Sequence, residues 1–144
     1  MHKVLMAVDG SEHSERAVQY LIGLIQNGGL LAGNAEVHLL NVQPLLPTRI
    51  LQSLDREELA RYYEEKSDDD SHKAIALMKQ AGIAFTFHTL QGDAARTIVS
   101  CSQSLGCESI ILGSQGKGFL AGIFLGSVAS KVIQLSSIPV TLVK

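Results

Sequence analysis

The sequence predicts a doubly wound α/β fold, a parallel sheet with helices on both faces, and three observations carry that expectation. Strand-like and helix-like segments alternate along the chain in the order β-α-β-α-β-α-β-α-β. The first segment, Val4 to Val8, is apolar at every position without alternation, as a central parallel strand covered on both faces must be. Two strands, the first and the fourth, run into turn-forming exits, Asp9-Gly10-Ser11 and Gly113-Ser114-Gln115-Gly116. Right-handed crossovers place successive helices against one side of a sheet or the other, so this alternation gives a doubly wound arrangement. Ligands settle in such sheets where the winding direction reverses, and here that point lies between the first and fourth strands.

The elements follow in order. After the first strand, Ser11 caps a helix whose first turns carry Glu12 and Glu15, and whose apolar face is Ala17, Leu21, Leu24 and Ile25. Asn27-Gly28-Gly29 stops it. A second strand spans Val37 to Val42, and Pro44 and Pro47 then open a loop. From about Ser53 to Gln80 helix formers dominate, although the polar run Glu64 to His72 interrupts the apolar stripe; one long helix or two shorter ones both fit. Phe85 to Leu90 alternates as a strand exposed on one side does, which suggests a sheet edge. A third helix runs from about Ala94 to Leu105, with Ala95, Ile98, Val99, Ser102 and Leu105 on one face. The short strand Ile110-Ile111-Leu112 follows it, then a helix from Gly126 to Leu135, and a last strand from Val140 to Val143.

With 144 residues, the chain has the length of one ordinary domain, and residues 1–144 are expected to form it. Apolar residues make up 46% and charged residues 18%, the balance of a chain that packs a core. A net charge of −2 with no cluster of lysine or arginine argues against nucleic acid as a partner. The longest strongly apolar stretch, Phe119 to Leu125, is far short of the ~18 residues that cross a bilayer, so no membrane is expected. Cys101 and Cys107 have neither a redox nor a metal-ligand spacing and read as buried, inert thiols. The apolar run near the N-terminus is too short for a signal-peptide core. These features together point to the cytoplasm.

Five of the thirteen glycines, at 113, 116, 118, 122 and 126, fall between an apolar strand and a helix start. Glycine lets backbone N–H groups approach phosphate oxygens unobstructed, and the free amides and dipole of a helix N-terminus attract anions. Ser127 adds a hydroxyl there. A Walker loop is excluded because Gly118 is followed by Phe119-Leu120 rather than by lysine and a hydroxyl residue. A dinucleotide fingerprint is excluded because the spacing to Gly122 is one residue too long and the segment follows the fourth strand.

Gly113-Ser114-Gln115-Gly116, nine residues, then Gly126-Ser127 matches the G-x2-G-x9-G-[ST] signature of ATP-binding universal stress proteins. The opening Lys3 to Glu12, the segment Gln91 to Ala95 and the ending Ser137 to Lys144 also resemble that family, so the similarity covers essentially the whole chain. The resemblance implies an adenine-nucleotide alpha-hydrolase-like sheet of five strands ordered 3-2-1-4-5, and a homodimer joined through the last strand. It implies an adenine nucleotide, ATP or else ADP or AMP, with Mg²⁺ or Mn²⁺ held mainly by the phosphates. Asp9 matches the acidic residue on the adenosine and metal side, with Ala7 and Val8 beside it, and Val42 matches the residue whose backbone meets adenine. Gly113, Ser114, Gly116, Gly126, Ser127 and Val128 match the phosphate and ribose contacts. Gln115 departs from the arginine or histidine frequent between the first two glycines, and Lys117 is the candidate to supply that charge.

The remaining polar groups read as bland. Asp9 in Asp-Gly-Ser also caps a turn, a role that coexists with ligand binding. Asp68-Asp69-Asp70 with His72 reads as a solvated helix face or loop rather than a metal cluster, and His38 and His88 as satisfied or surface residues on strands. No motif supplies a nucleophile or general base. The function implied is a nucleotide-binding regulatory protein read by unidentified protein partners during stress. A slow Mg-dependent ATPase and a structural dimer without nucleotide are the alternatives.

Overall fold

The computed structural model describes residues 1–29, 33–117 and 125–144. Gly118, Gly122 and nearly all of the apolar stretch from Phe119 lie outside the described residues. The elements are β1 (His2–Ala7), α1 (Glu12–Gln26), β2 (Ala35–Gln43), α2 (Thr48–Ser53), α3 (Arg56–Gln80), β3 (Thr86–Gln91), α4 (Ala94–Leu105), β4 (Ser109–Gly113), α5 (Ser127–Leu135) and β5 (Val140–Val143). The five strands form one sheet in the order β3-β2-β1-β4-β5, and every pairing is parallel. β1 therefore lies between β2 and β4, which puts the reversal of winding at the exits of β1 and β4, as the sequence predicts.

Alternation along the buried strands sorts the core into two layers. Val4 and Met6 on β1, with Val37 and Leu39 on β2, pack under Ala17, Val18 and Leu21 of α1 and Ala74 and Met78 of α3. Leu5, Leu40, Ile110 and Leu112 face the other way and meet Ala95, Ile98 and Val99 of α4 and Ala129 and Val132 of α5. Each layer excludes water from one face of the sheet, and burial of that apolar area is the main stabilising term. Caps fix where the helices start. Ser11 Oγ accepts from the Ser14 amide at α1, Asp93 accepts from the Arg96 amide at α4, and Asp55 with Glu58 forms a capping box at α3. Among the described residues, no helix is long and apolar enough to cross a membrane.

Two segments differ from the sequence expectation. The loop after β2 contains a short helix, α2, whose turn starts at Pro47, the acceptor for the amides of Ile50 and Leu51; none of its residues is buried. Residues 56–80 form one continuous helix, because the stripe is not interrupted between Tyr63 and Ala74. It continues through Ser67 and Ser71, both buried, at the same four-three-four spacing that leads on to Ala74 and Met78. Small serines let α3 lie close to its neighbours where larger apolar residues are not needed.

His38 and His88 lie on neighbouring strands and satisfy each other. His38 Nδ1 is 2.9 Å from His88 Nε2, and His38 Nε2 is 2.9 Å from Glu36 Oε1. Burial, and secondarily the neighbouring His38, hold the His88 imidazole below its usual value of 6.5. A depressed imidazole pKa means that the unfolded chain binds the proton more readily than the folded one. Stability is therefore expected to fall as pH drops below about 6.5, through the interval down to the folded-state value. Urea midpoints measured from pH 8 to pH 5 will show this decline, and His88→Gln will flatten its upper part; an unchanged profile in the variant refutes the assignment. Burial also raises both thiols: Cys101 and Cys107 are buried and free, as the sequence suggests.

Candidate functional site

A cleft of about 250 Å³ opens at the carboxyl ends of β1 and β4. Its lining is of two chemical kinds, contributed largely by different elements. The apolar part is Ala7 at the end of β1, Leu40 and Val42 from β2, and Ala94 and Ile98 from α4, with Leu112 and Ala129 from β4 and α5. The polar and glycine part comes from turns and a helix start: Asp9, Gly113, Gln115, Gly116, Lys117, Gly126, Ser127 and Val128. Gly126 occupies the N-cap of α5 and has no side chain to cap it, so the amides that open this helix lie at the cleft without a side-chain partner.

Of the site residues expected from the sequence, Ala7, Val8, Asp9, Val42, Gly113, Gly116, Gly126, Ser127 and Val128 line this cleft. Ser114 does not. Its amide donates to the Val143 carbonyl at 2.8 Å and its own carbonyl accepts from the Gly126 amide at 2.7 Å, so Ser114 is buried as a strut between β5 and the start of α5. This link explains why the two halves of the glycine motif, nine residues apart, come together.

The three described glycines of the motif do different work, and none of them has a positive φ. Space is what each provides. A Cβ on Gly113 would sit 2.8 Å from both the carbonyl carbon and the Cβ of His13, so this glycine admits the first turn of α1 against β4. A Cβ on Gly126 would lie 3.3 Å from the Gln115 Cα, which makes it a packing position as well as a cleft wall. At Gly116, by contrast, a Cβ would meet, among the described residues, only the Oδ2 of Asp9, at 2.9 Å. Gly116 and Asp9 thus meet in the cleft lining, and among the three described glycines this is the one whose missing side chain makes way for a side-chain end rather than for backbone.

Asp9 caps the turn, as Asp-Gly-Ser suggests, and keeps its second oxygen towards Gly116. Its Oδ1 accepts from the Ser11 amide at 2.9 Å and its amide donates to Ser14 Oγ at 3.2 Å, which fixes the turn into α1. Its Oδ2 is the oxygen that faces Gly116. Gly10 between them has φ of 81°, the left-handed conformation that favours glycine, and its Cα also faces the backbone of Asp70, 3.2 Å from where a Cβ would stand.

That contact introduces a residue that reading the sequence missed. Asp70 is not part of a solvated face: its side chain is only 12% exposed and turns towards the strand exits. Its Oδ2 accepts from Gln43 Nε2 at 2.8 Å and from Asn41 Nδ2 at 3.3 Å, and its Oδ1 is paired with the ammonium of Lys117. Asn41 Nδ2 also donates to the Val8 carbonyl at 2.8 Å, and Gln43 Nε2 to Asn41 Oδ1 at 2.7 Å. A polar chain, buried up to Asp70, therefore runs from the Val8 carbonyl just past β1, through β2, to α3 and on to Lys117 of the glycine segment. The available signal was Asn41 and Gln43 themselves, amides at alternate positions of a strand otherwise dominated by apolar residues. Asp68 and His72 stay exposed. Among the described residues, no three His, Cys, Asp or Glu side chains are grouped as a metal would require.

A doubly wound parallel sheet whose cleft lies at the reversal point, with a helix start on one wall, defines a Rossmann-like α/β protein. The model of the universal stress protein family matches residues 1–144, and the chain belongs to that family. It is 28% identical over 143 residues to universal stress protein MJ0531 of Methanocaldococcus jannaschii, covering 99% of this chain and 81% of the relative. Hypothetical protein MJ0577 has a similar solved structure, with a TM-score of 0.79 at 29% identity over 99% of this chain and 95% of that one. Two more distant structures share the fold and carry nucleotides. The universal stress protein of Archaeoglobus fulgidus in complex with dAMP gives a TM-score of 0.68 at 19% identity, covering 100% of this chain and 98% of that chain. A family protein of Arabidopsis thaliana with AMP bound gives 0.67 at 16%, covering 100% and 92%.

Proposed function

We propose that this protein binds an adenine nucleotide in the cleft between the exits of β1 and β4, and acts by that binding rather than by turnover. The observation that carries the reading is the pairing of an apolar lining with a helix start bare of side chains. Leu40, Val42 and Ile98 suit a purine ring, which gains from burial against aliphatic groups. The uncapped amides of Ser127 and Val128, at the positive end of α5, suit phosphate oxygens. The structural neighbours that hold dAMP and AMP support an adenine nucleotide as the class of ligand. ATP with Mg²⁺ or Mn²⁺ is the specific ligand we favour, because Lys117, next to Gly116, lines the same cleft and brings a positive charge suited to further phosphates.

The cation would be held mainly by those phosphates. Asp9 Oδ2 fits as the one protein ligand, since its other oxygen is committed to the Ser11 amide. Asp9 is the one carboxylate among the described residues lining the cleft, and no histidine accompanies it, which favours a bound-state signal over efficient hydrolysis. A homodimer through β5 fits the same reading. β5 is an edge strand with every residue partly exposed, and the adjacent α5 exposes Ile133 and Leu135.

One set of measurements tests these points. ATP with Mg²⁺ at about a hundred times its Kd is expected to add roughly 2.7 kcal/mol to the unfolding free energy, which a thermal-shift assay reads as a rise in Tm. Nucleotide released by denaturing the purified protein is expected to be adenine nucleotide by mass spectrometry. No shift with ATP, ADP or AMP, and none released, sinks the proposal. Sedimentation as a monomer at micromolar concentration removes the dimer alone.

A further inference from the structure

We propose that Lys117 reads the length of the phosphate chain, and that Asp70 sets the threshold by holding the Lys117 ammonium until a polyphosphate displaces it; this rests on the nucleotide reading above. Lys117 is the one cation among the described residues lining the cleft. Its side chain is 60% exposed and its ammonium is paired with Asp70 Oδ1. The partner is the opposite kind of group: a carboxylate 12% exposed, fixed through Oδ2 by the amides of Gln43 and Asn41. Those two donors stay in place if the lysine leaves, so Asp70 remains a held, partly satisfied anion. Lys117 is the mobile member of the pair and Asp70 the fixed one.

The position of the pair gives it discrimination. Asn41 and Gln43 alternate along β2 with Leu40 and Val42, so the residues that hold Asp70 lie on the α3 side of the sheet and those that line the cleft on the α4 side. Lys117 is drawn across the strand exits towards α3. A nucleotide whose base occupies the apolar part of the cleft and whose first phosphate meets the start of α5 must extend past Gly116 to reach it. A monophosphate is too short. A triphosphate reaches, and its terminal phosphates carry more charge than the single carboxylate oxygen they replace, so the exchange of partners favours it.

The exchange predicts opposite effects from the two residues, confined to long phosphate chains. Titration calorimetry with ATP and AMP decides. Lys117→Ala, a change at an exposed side chain, is expected to weaken ATP about tenfold and AMP less than twofold. Asp70→Asn, which releases Lys117, is expected to tighten ATP roughly fivefold with AMP unchanged, and to lose that gain in a Lys117→Ala background. An ATP-to-AMP affinity ratio that Lys117→Ala leaves unchanged overturns the inference even if Asp70→Asn fails to fold. So does an equal effect of Asp70→Asn on both nucleotides. Wild-type protein that binds AMP and ATP alike refutes the length reading while leaving nucleotide binding intact, whereas wild-type protein that binds neither refutes the proposed function itself.

Discussion

Gly116→Val is expected to weaken ATP binding by about a hundredfold while leaving the free protein folded. The estimate corresponds to losing one or two hydrogen bonds to charged oxygens, at roughly 1.5–3 kcal/mol each. A side chain at residue 116 projects towards Asp9 Oδ2 in the cleft lining, 2.9 Å from the new Cβ, so its methyl groups fill the space a phosphate would use. The atom it meets is the end of a side chain rather than backbone, so the adjustment strains at most the Asp9 Oδ1 bond to the Ser11 amide. The free protein is therefore expected to lose no more than about 1 kcal/mol. Calorimetric titration together with urea unfolding separates the two quantities. Retained affinity would show that phosphates do not pass Gly116.

Gly113→Ala should behave in the reverse way, with a large loss of stability from a smaller change. The added Cβ lies 2.8 Å from the carbonyl carbon of His13 and 2.8 Å from its Cβ, and backbone cannot turn aside as the end of a side chain can. α1 must shift off β4, at a cost of about 1–3 kcal/mol typical of overpacking, equivalent to a fall in Tm of roughly 3–10 °C. Any gain from restricting the unfolded chain, about 0.4–1 kcal/mol, is smaller and of opposite sign. Thermal unfolding measures it directly. A Tm equal to wild type would mean that α1 does not approach β4 as closely as the structure has it.

These contrasting expectations show why a glycine motif is only partly legible. In sequence, Gly113, Gly116 and Gly126 are equivalent members of one signature. In the fold, Gly113 makes room for a helix, Gly126 for the Gln115 backbone, and Gly116 for the end of the Asp9 side chain. The same limit applies to Asp70. A run of three aspartates within a polar stretch gives no sign of which carboxylate is buried. That depends on the phase of α3 against β2, which is set by one buried stripe in which the serines at 67 and 71 continue the apolar Ala74 and Met78.

The sequence by itself determined the layers and the location of the cleft. Hydrophobic period and turn chemistry are local properties: continuous apolar strands, helical stripes and the glycine-rich exits of β1 and β4 specify a doubly wound sheet and its reversal point before any contact is known. Only the tertiary structure decided which groups meet there. The strut through Ser114, the pairing of Lys117 with Asp70 across 47 residues, and the amides of Asn41 and Gln43 beneath them join elements far apart in the chain. Such contacts depend on how the elements are rotated and spaced as they pack, and no local pattern of residues encodes that.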